Sequence, residues 1–169
     1  MGRYAVAEVI IRPITVEDAD AVAELWQSLV EYHQRLSSDL PAAAKGGAHR
    51  YVRRMLDRLS DPYTHAIVAE FDGQVIGFLL GVIVDLMPDM FAQQPAGFLA
   101  DIYVEPSHRR RGVGRALVND LVSWFRQCGV HTFDWHVASS NPEGIRFWRA
   151  VGGRDVMIRM RADIGGDHD

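Results

Sequence analysis

The residues best equipped for chemistry sit together in His108-Arg109-Arg110-Arg111-Gly112-Val113-Gly114-Arg115. Gly112 and Gly114 carry no Cβ, so a ligand can lie directly against the backbone there. A strand-like run, Gly97 to Val104, precedes the stretch and closes with Glu105-Pro106; a helical pattern follows it. Amides freed at a helix start point outward and favour negative charge. Arg109, Arg110, Arg111 and Arg115 surround the glycines. The stretch reads as a phosphate site.

The kind of phosphate is narrowed by what is missing. A dinucleotide fingerprint needs a third glycine, and Leu117 stands in its place. A Walker loop needs Gly-Lys-Ser/Thr, and no lysine is near. A second chemical candidate lies just upstream, on Leu99-Ala100-Asp101-Ile102-Tyr103-Val104. Alternation puts Asp101 and Tyr103 on one face of a strand, and Ile102 and Val104 on the other. A carboxylate in a mostly apolar strand is costly unless it is paired or used. Asp101 is therefore either one end of a salt bridge across the sheet or a working group. Tyr103 is either packing or a proton donor.

The elements that must position these groups can be read in order. Val9 to Pro13 is a short first strand. Thr15-x-x-Asp18 is a cap-like helix start, and Val22, Leu25, Trp26, Leu29 and Val30 recur at helical spacing up to Leu36. Ser37 to Gly47 is a loop, and a second helix carries Tyr51, Val52, Met55, Leu56 and Leu59 until Asp61-Pro62 ends it. Thr64–Phe71 and Gln74–Val84 form a hairpin across Asp72-Gly73. Leu86 to Ala96 is irregular, and the strand from Phe98 to Val104 leads into the arginine loop. The helix from Gly114 to Cys128 has Leu117, Val118, Leu121, Trp124, Phe125 and Cys128 on one stripe, which makes Cys128 a small core residue. His131 to Ala138 reads as a strand, Asn141 caps a helix opened by Pro142 and stopped by Gly152, and Arg154 to Met160 is a last strand. The order is β-α-α-β-β-β-α-β-α-β.

The pattern Arg109-x-x-Gly112-x-Gly114, set after a strand and before a helix, resembles the acyl-CoA binding segment of the GCN5-related N-acetyltransferase (GNAT) family. The element order is also that family's order. The resemblance implies one α+β (α/β) domain over 1–169, with a frayed tail at 164–169. Its sheet would be mixed, mostly antiparallel and of about six to seven strands, flanked by helices and splayed at 98–104. It implies that acetyl-CoA is the co-substrate, with its pyrophosphate on the loop amides and the Arg109–Arg115 side chains. Ile102 and Val104 would offer backbone groups to the pantetheine arm and the thioester carbonyl. Asn141 and Phe147 match a second family motif, so Asn141 inherits a pantetheine contact. Asp101 becomes the first candidate to orient the amine or accept its proton, and Tyr103 the second catalytic candidate.

One position breaks the resemblance. The family's frequent general acid, a tyrosine, falls at Trp148, and an indole N–H does not usefully give up its proton. The acid is filled elsewhere, taken by water, or lost. The family's final phenylalanine falls at Gly153. The implied reaction is acetyl transfer to the primary amine of a small molecule. The rivals are a peptide or protein acetyltransferase and a non-catalytic acyl-CoA-binding module.

Composition bounds the rest. The 169 residues, 48% apolar and 24% charged, suffice for a domain with a core. A net charge of −4 argues against nucleic acid as a partner. Residues 1–90 carry 13 acids and 8 bases, residues 91–169 carry 9 acids and 10 bases, a division that suits an amine beside a phosphate. Cys128 is the only cysteine, so no internal disulfide forms. The histidines lack ligand spacing, so no metal is expected. No stretch approaches a membrane span, Val6 spoils a myristoylation start, and a cytoplasmic protein is expected. A homodimer is compatible with all of this. The 37–47 loop and the 86–96 segment are expected to shape the acceptor pocket.

Overall fold

A computed structural model describes residues 8–84 and 95–164. Five strands form one mixed sheet in the order β1 (Ile10–Pro13), β2 (Thr64–Phe71), β3 (Gln74–Val84), β4 (Ala96–Val104) and β5 (Phe133–Asp134). The first four pair antiparallel, and β4 pairs parallel with β5. Helices α1 (Ala19–Leu36) and α2 (Gly47–Leu56) cover one face, and α3 (Val113–Gln127) covers the other. Helix α4 (Pro142–Ala150) joins the α3 side through Trp148.

Local rules explain these elements. Asp72 and Gly73 both take positive φ, 51° and 73°, as the tight hairpin expected between β2 and β3 requires. Asp18 accepts hydrogen bonds from the Thr15 amide at 2.8 Å and hydroxyl at 3.2 Å, fixing the entry to α1. Arg12 then reaches both Asp18 and Glu70 at 2.7 Å, tying β1 to β2 and to that entry. On β2, Ala66 and Val68 face α1 and α2 while Ile67 and Ala69 face α3.

Strand β4 carries a bulge. Leu80 pairs with Asp101 and Gly81 with Leu99, so Ala100 has no partner. The extra residue shifts parity. Leu99, Ile102 and Val104 all face the α3 core, while Tyr103 enters the α1–α2 core and Asp101 meets Tyr51 of α2. The β4–β5 ladder holds only at Gly97–Phe133 and Phe98–Asp134, after which the strands part. The splay expected at 98–104 is present.

Several expectations are corrected. Among the described residues the sheet has five strands, not six or seven. Arg154–Met160 forms no strand: Val156, Met157, Ile158 and Met160 are 69–89% exposed. Alternating apolar residues make a strand only where a neighbour pairs with them, and this stretch pairs with none of the described strands. The expected strand 131–138 shrinks to those two residues because Trp135 turns into a stack with Trp148, at 4.6 Å. Cys128 is exposed, since α3 ends at Gln127 and Gly129, at φ 74°, reverses the chain before the stripe closes. Helix α2 stops at Leu56, short of Leu59.

The junction where β4 and β5 part has no spare room. A Cβ on Gly97 would meet the Phe125 ring at 2.6 Å and the Phe133 Cβ at 2.7 Å. Gly97→Ala should lower stability by about 1–3 kcal/mol through overpacking. A fall in Tm of several degrees by calorimetry is expected; an unchanged Tm would show that the junction yields freely.

Candidate active site

The parted strands open a cavity of about 530 Å³. Leu99 to Val104 form one wall and His136 to Ala138 the other. The arginine loop and the start of α3 line one end through Arg109, Arg110, Gly112, Gly114 and Arg115. Helix α4 adds Asn141, Phe147 and Trp148; α1 adds Leu29, Tyr32 and His33. Most residues singled out in the sequence therefore meet around one space. Arg111 and Val113 are not among the lining side chains: Arg111 is exposed, and Val113 is buried in the core.

The loop has the backbone expected of an anion cradle. Arg110 and Gly112 both take positive φ, 60° and 85°. Gly112 caps α3 without any side-chain hydrogen bond, leaving the first-turn amides free to meet a ligand. A Cβ on Gly114 would sit 3.4 Å from the Phe147 ring, so this glycine also lets α4 approach α3.

The arginines divide their work. Arg110 and Arg111 are exposed and form no ion pair among the described residues. Arg115 donates to the Ala150 carbonyl at 3.2 Å, at the end of α4. Arg109 turns inward. Its Nε donates to the Val104 carbonyl at 2.9 Å, and its guanidinium carbon lies 5.3 Å from the Tyr32 ring centroid and 5.1 Å from that of Tyr103. Tyr103 is thus a buried partner of Arg109, at 7% exposure.

Asp101 lies further along the same wall. Its Oδ2 accepts the Tyr51 hydroxyl proton at 2.7 Å, and no cation pairs with it among the described residues. Burial pushes its carboxyl up to about 6, and the Tyr51 hydrogen bond pulls in the opposite direction. Tyr51 is itself pushed well above the phenol range by burial, then by the charge and hydrogen bond of Asp101. Trp26 stacks on Tyr51 at 5.0 Å and Phe78 meets it edge-on at 6.2 Å, which holds the hydroxyl on the carboxylate. His33 is pushed down by desolvation, so it favours the neutral imidazole.

Trp148 is 8% exposed and packs between Trp135 and Phe147, at 4.6 and 4.9 Å. Asn141 is buried and caps α4, its Oδ1 accepting from the Gly144 amide at 2.9 Å and from the Tyr32 hydroxyl at 3.1 Å. Sequence reading passed over Tyr32 and Tyr51 as a site pair. Tyr32 lies three residues beyond Leu29 on a stripe that is apolar up to that point. A tyrosine continuing a core stripe, with its polar end still to be satisfied, was the available signal. Tyr51 was visible only as part of the α2 stripe. Residues 37–46 do not line the cavity; α1 itself does. Residues 85–94, the bulk of the segment expected to shape the acceptor pocket, lie outside the described residues.

Comparison with known proteins agrees with this geometry. The model of the Acetyltransferase (GNAT) family matches residues 23–152, and the chain belongs to that family. It is similar to an L-2,4-diaminobutyric acid acetyltransferase of Nocardia farcinica, 32% identical over 88 residues, 52% of this chain and 42% of that one. The match thus spans less than half of that relative. It is also similar to an aminoglycoside N(6')-acetyltransferase type 1 of Acinetobacter haemolyticus, 28% identical over 123 residues, 73% of this chain and 80% of that one. Among solved structures, aminoglycoside N-acetyltransferase AAC(6')-Iy in complex with CoA has the same fold. Its TM-score is 0.72 at 21% identity, over 95% of this chain and 99% of that one.

Asp101 makes a stability prediction. The folded chain holds the Asp101 proton up to about 6, whereas an unfolded aspartate releases it near 4. Folding stability therefore falls as pH rises between those values and is flat above them. Asp101→Asn removes the buried charge. Its Tm should exceed the wild-type Tm at pH 7.5, equivalent to about 1–3 kcal/mol, and the gap should close at pH 4. A variant less stable than wild type at pH 7.5 would mean that the hydrogen bond from Tyr51 to the carboxylate outweighs the cost of burying its charge.

Proposed function

We propose that the chain is an acetyl-CoA-dependent N-acetyltransferase for the primary amine of a small molecule. One observation carries the reading: an unpaired, part-buried carboxylate and a glycine–arginine anion cradle open into the same cavity, along the free edge of β4. The first-turn amides of α3, with Gly112, Val113 and Gly114, take the pyrophosphate. Arg110, Arg111 and Arg115 add charge around it, and Arg109 braces the loop against β4. The pantetheine arm lies along Ile102 and Val104 on the side of β4 that β5 leaves open, with Asn141, Phe147 and Trp148 on its far side. A strand amide at that edge polarises the thioester carbonyl as negative charge gathers on its oxygen.

Asp101 acts on the amine. An ammonium group must lose a proton before its nitrogen can attack, and a carboxylate near 6 is a usable acceptor at neutral pH. Its charge also favours a cationic substrate. Tyr103, the other candidate, supports Arg109 from beneath. The substrates of two relatives, diaminobutyrate and aminoglycosides, are small polar amines, which supports this acceptor class. The reading places the protein in the cytoplasm, with acetyl-CoA. It also includes a homodimer, supported by the exposed apolar residues 156–160; light scattering that gives the mass of one chain removes that part.

Two experiments test the reading. CoA should raise the Tm in a thermal shift assay while NAD and ATP leave it unchanged, because a ligand that prefers the folded state stabilises it. Gly114→Asp should lose that response, since its carboxylate would repel the phosphates. A Gly114→Asp protein that responds normally puts the phosphate site elsewhere. For the chemistry, wild-type kcat/KM with a cationic amine should rise as pH passes through about 6. Asp101→Asn should lower it by roughly 10²-fold or more. Wild-type turnover in that variant would strip Asp101 of its role.

A further inference from the structure

The cavity holds a phenol that the reading above leaves without a task. Tyr32 reaches into it from the last third of α1. Its hydroxyl spans the gap between α1 and α4, donating to Asn141 Oδ1 at 3.1 Å across 109 residues of sequence. The Arg109 guanidinium lies over its ring, 5.3 Å from the centroid. Arg109 is in turn fixed by the Val104 carbonyl and the Tyr103 ring. A helix tyrosine held at both its ring and its hydroxyl, at the wall of a cavity, is more constrained than packing alone demands.

We propose that Tyr32 is the proton donor to the departing thiolate of the acyl donor, an inference that rests on the acetyltransferase reading. Its neighbours select it. Trp148 offers only an indole N–H, and its ring is packed between Trp135 and Phe147. Tyr51 does not line the cavity, and its hydroxyl donates to Asp101. His33 is held toward its neutral form by desolvation. Tyr103 is buried under Arg109. Asn141, which accepts from Tyr32, also caps the helix whose Phe147 and Trp148 line the same wall.

The step balances as follows. The amine nitrogen forms a bond to the thioester carbonyl carbon, and the C–S bond breaks with its electron pair going to sulfur. Sulfur takes the Tyr32 hydroxyl proton, giving the free thiol. Asp101, having passed the ammonium proton to water before the attack, takes the second proton that the amine loses as the amide forms. The phenolate left at Tyr32 faces the Arg109 guanidinium, which compensates its charge until water returns a proton. Phenols ordinarily titrate near 10 and thiols near 8.5, so the transfer is slightly uphill in water. An uncompensated thiolate in a partly closed cavity is costly, and the fixed cation beside the phenol offsets the difference.

The titratable and charged groups that line the cavity with Tyr32 are His33 on its own helix, Asp101 and Tyr103 on β4, Arg109 and Arg110 on the loop, Arg115 on α3, His136 after β5, and Glu143 and Arg146 on α4. Tyr32→Phe keeps the ring under Arg109 and removes only the hydroxyl. The test compares steady-state kinetics of wild type and Tyr32→Phe with acetyl-CoA and a panel of small amines. A roughly 10²-fold fall in kcat is expected, with KM for acetyl-CoA within about twofold and the CoA-induced thermal shift intact. An unchanged kcat, or a loss confined to KM for acetyl-CoA, overturns the proposal and leaves Tyr32 as a brace for Asn141. If Tyr32→Phe does not fold, Tyr32→Met takes its place in the same kinetics, and an unchanged kcat there overturns the donor. An active wild type with an unimpaired variant sinks this proposal alone. A wild type that binds CoA and acetylates no amine sinks the acetyltransferase reading, and the donor with it.

Discussion

Where β4 leaves β5 after Phe98, the sheet gives up backbone hydrogen bonds that a regular ladder would keep. Unpaired backbone groups tolerate this only where water or a ligand can satisfy them. What holds the strands apart is a column of aromatic side chains. Phe125 of α3 meets Phe133 at 5.4 Å, Phe133 meets Trp135 at 5.2 Å, Trp135 meets Trp148 at 4.6 Å, and Trp148 meets Phe147 at 4.9 Å. The column runs from the core under β4 to α4 and turns the chain after Asp134 away from β4. Gly97 lets the column start close to β4, and Gly114 lets Phe147 end it against α3. The cavity lies along the backbone so exposed.

The bulge at Ala100 divides the labour of β4 between two faces. Without it, strict alternation would place Leu99 with Asp101 on the α1–α2 side. With it, Leu99 joins Ile102 and Val104 in the α3 core, and Asp101 is delivered to Tyr51. The same strand therefore packs hydrophobically on one side and presents a carboxylate on the other. The arginine loop stands beyond the far end of β4, its position fixed by Arg109 on Val104. Negative and positive groups are thus separated along one rigid element rather than paired, and each stays available to a ligand of opposite charge.

Much of this was legible in the sequence because local rules carried it. The Asp72-Gly73 turn, the Asn141 cap with Pro142, and the Arg109–Gly112–Gly114 spacing each depend on a few adjacent residues, and each gives the expected local structure. The alternation of Asp101 against Ile102 and Val104 was also readable. What failed depended on partners distant in sequence. The 154–160 stretch has the pattern of a strand but pairs with none of the described strands. Cys128 follows the α3 stripe by count, yet the helix ends one residue before it. The Tyr32–Asn141 and Tyr51–Asp101 pairs join residues 109 and 50 positions apart, which no helical or strand period reports.

Trp148 is where the resemblance and the physics can be weighed against each other. A tyrosine there would carry its hydroxyl at the rim of the aromatic column, and a smaller ring would leave space beside Trp135. A tryptophan fills that space with the largest apolar surface available, and at 8% exposure it is a core residue by packing. Gly153, where the family has a phenylalanine, fits the same account. A Cβ there would meet the Trp135 ring at 2.6 Å and the Trp148 backbone carbonyl at 2.9 Å, so the neighbouring indole of Trp135 leaves no room for a side chain. Trp148 fills the column and leaves no phenol at the α4 wall of the cavity, and the α1 wall opposite carries one at Tyr32, bonded to the cap of that same α4.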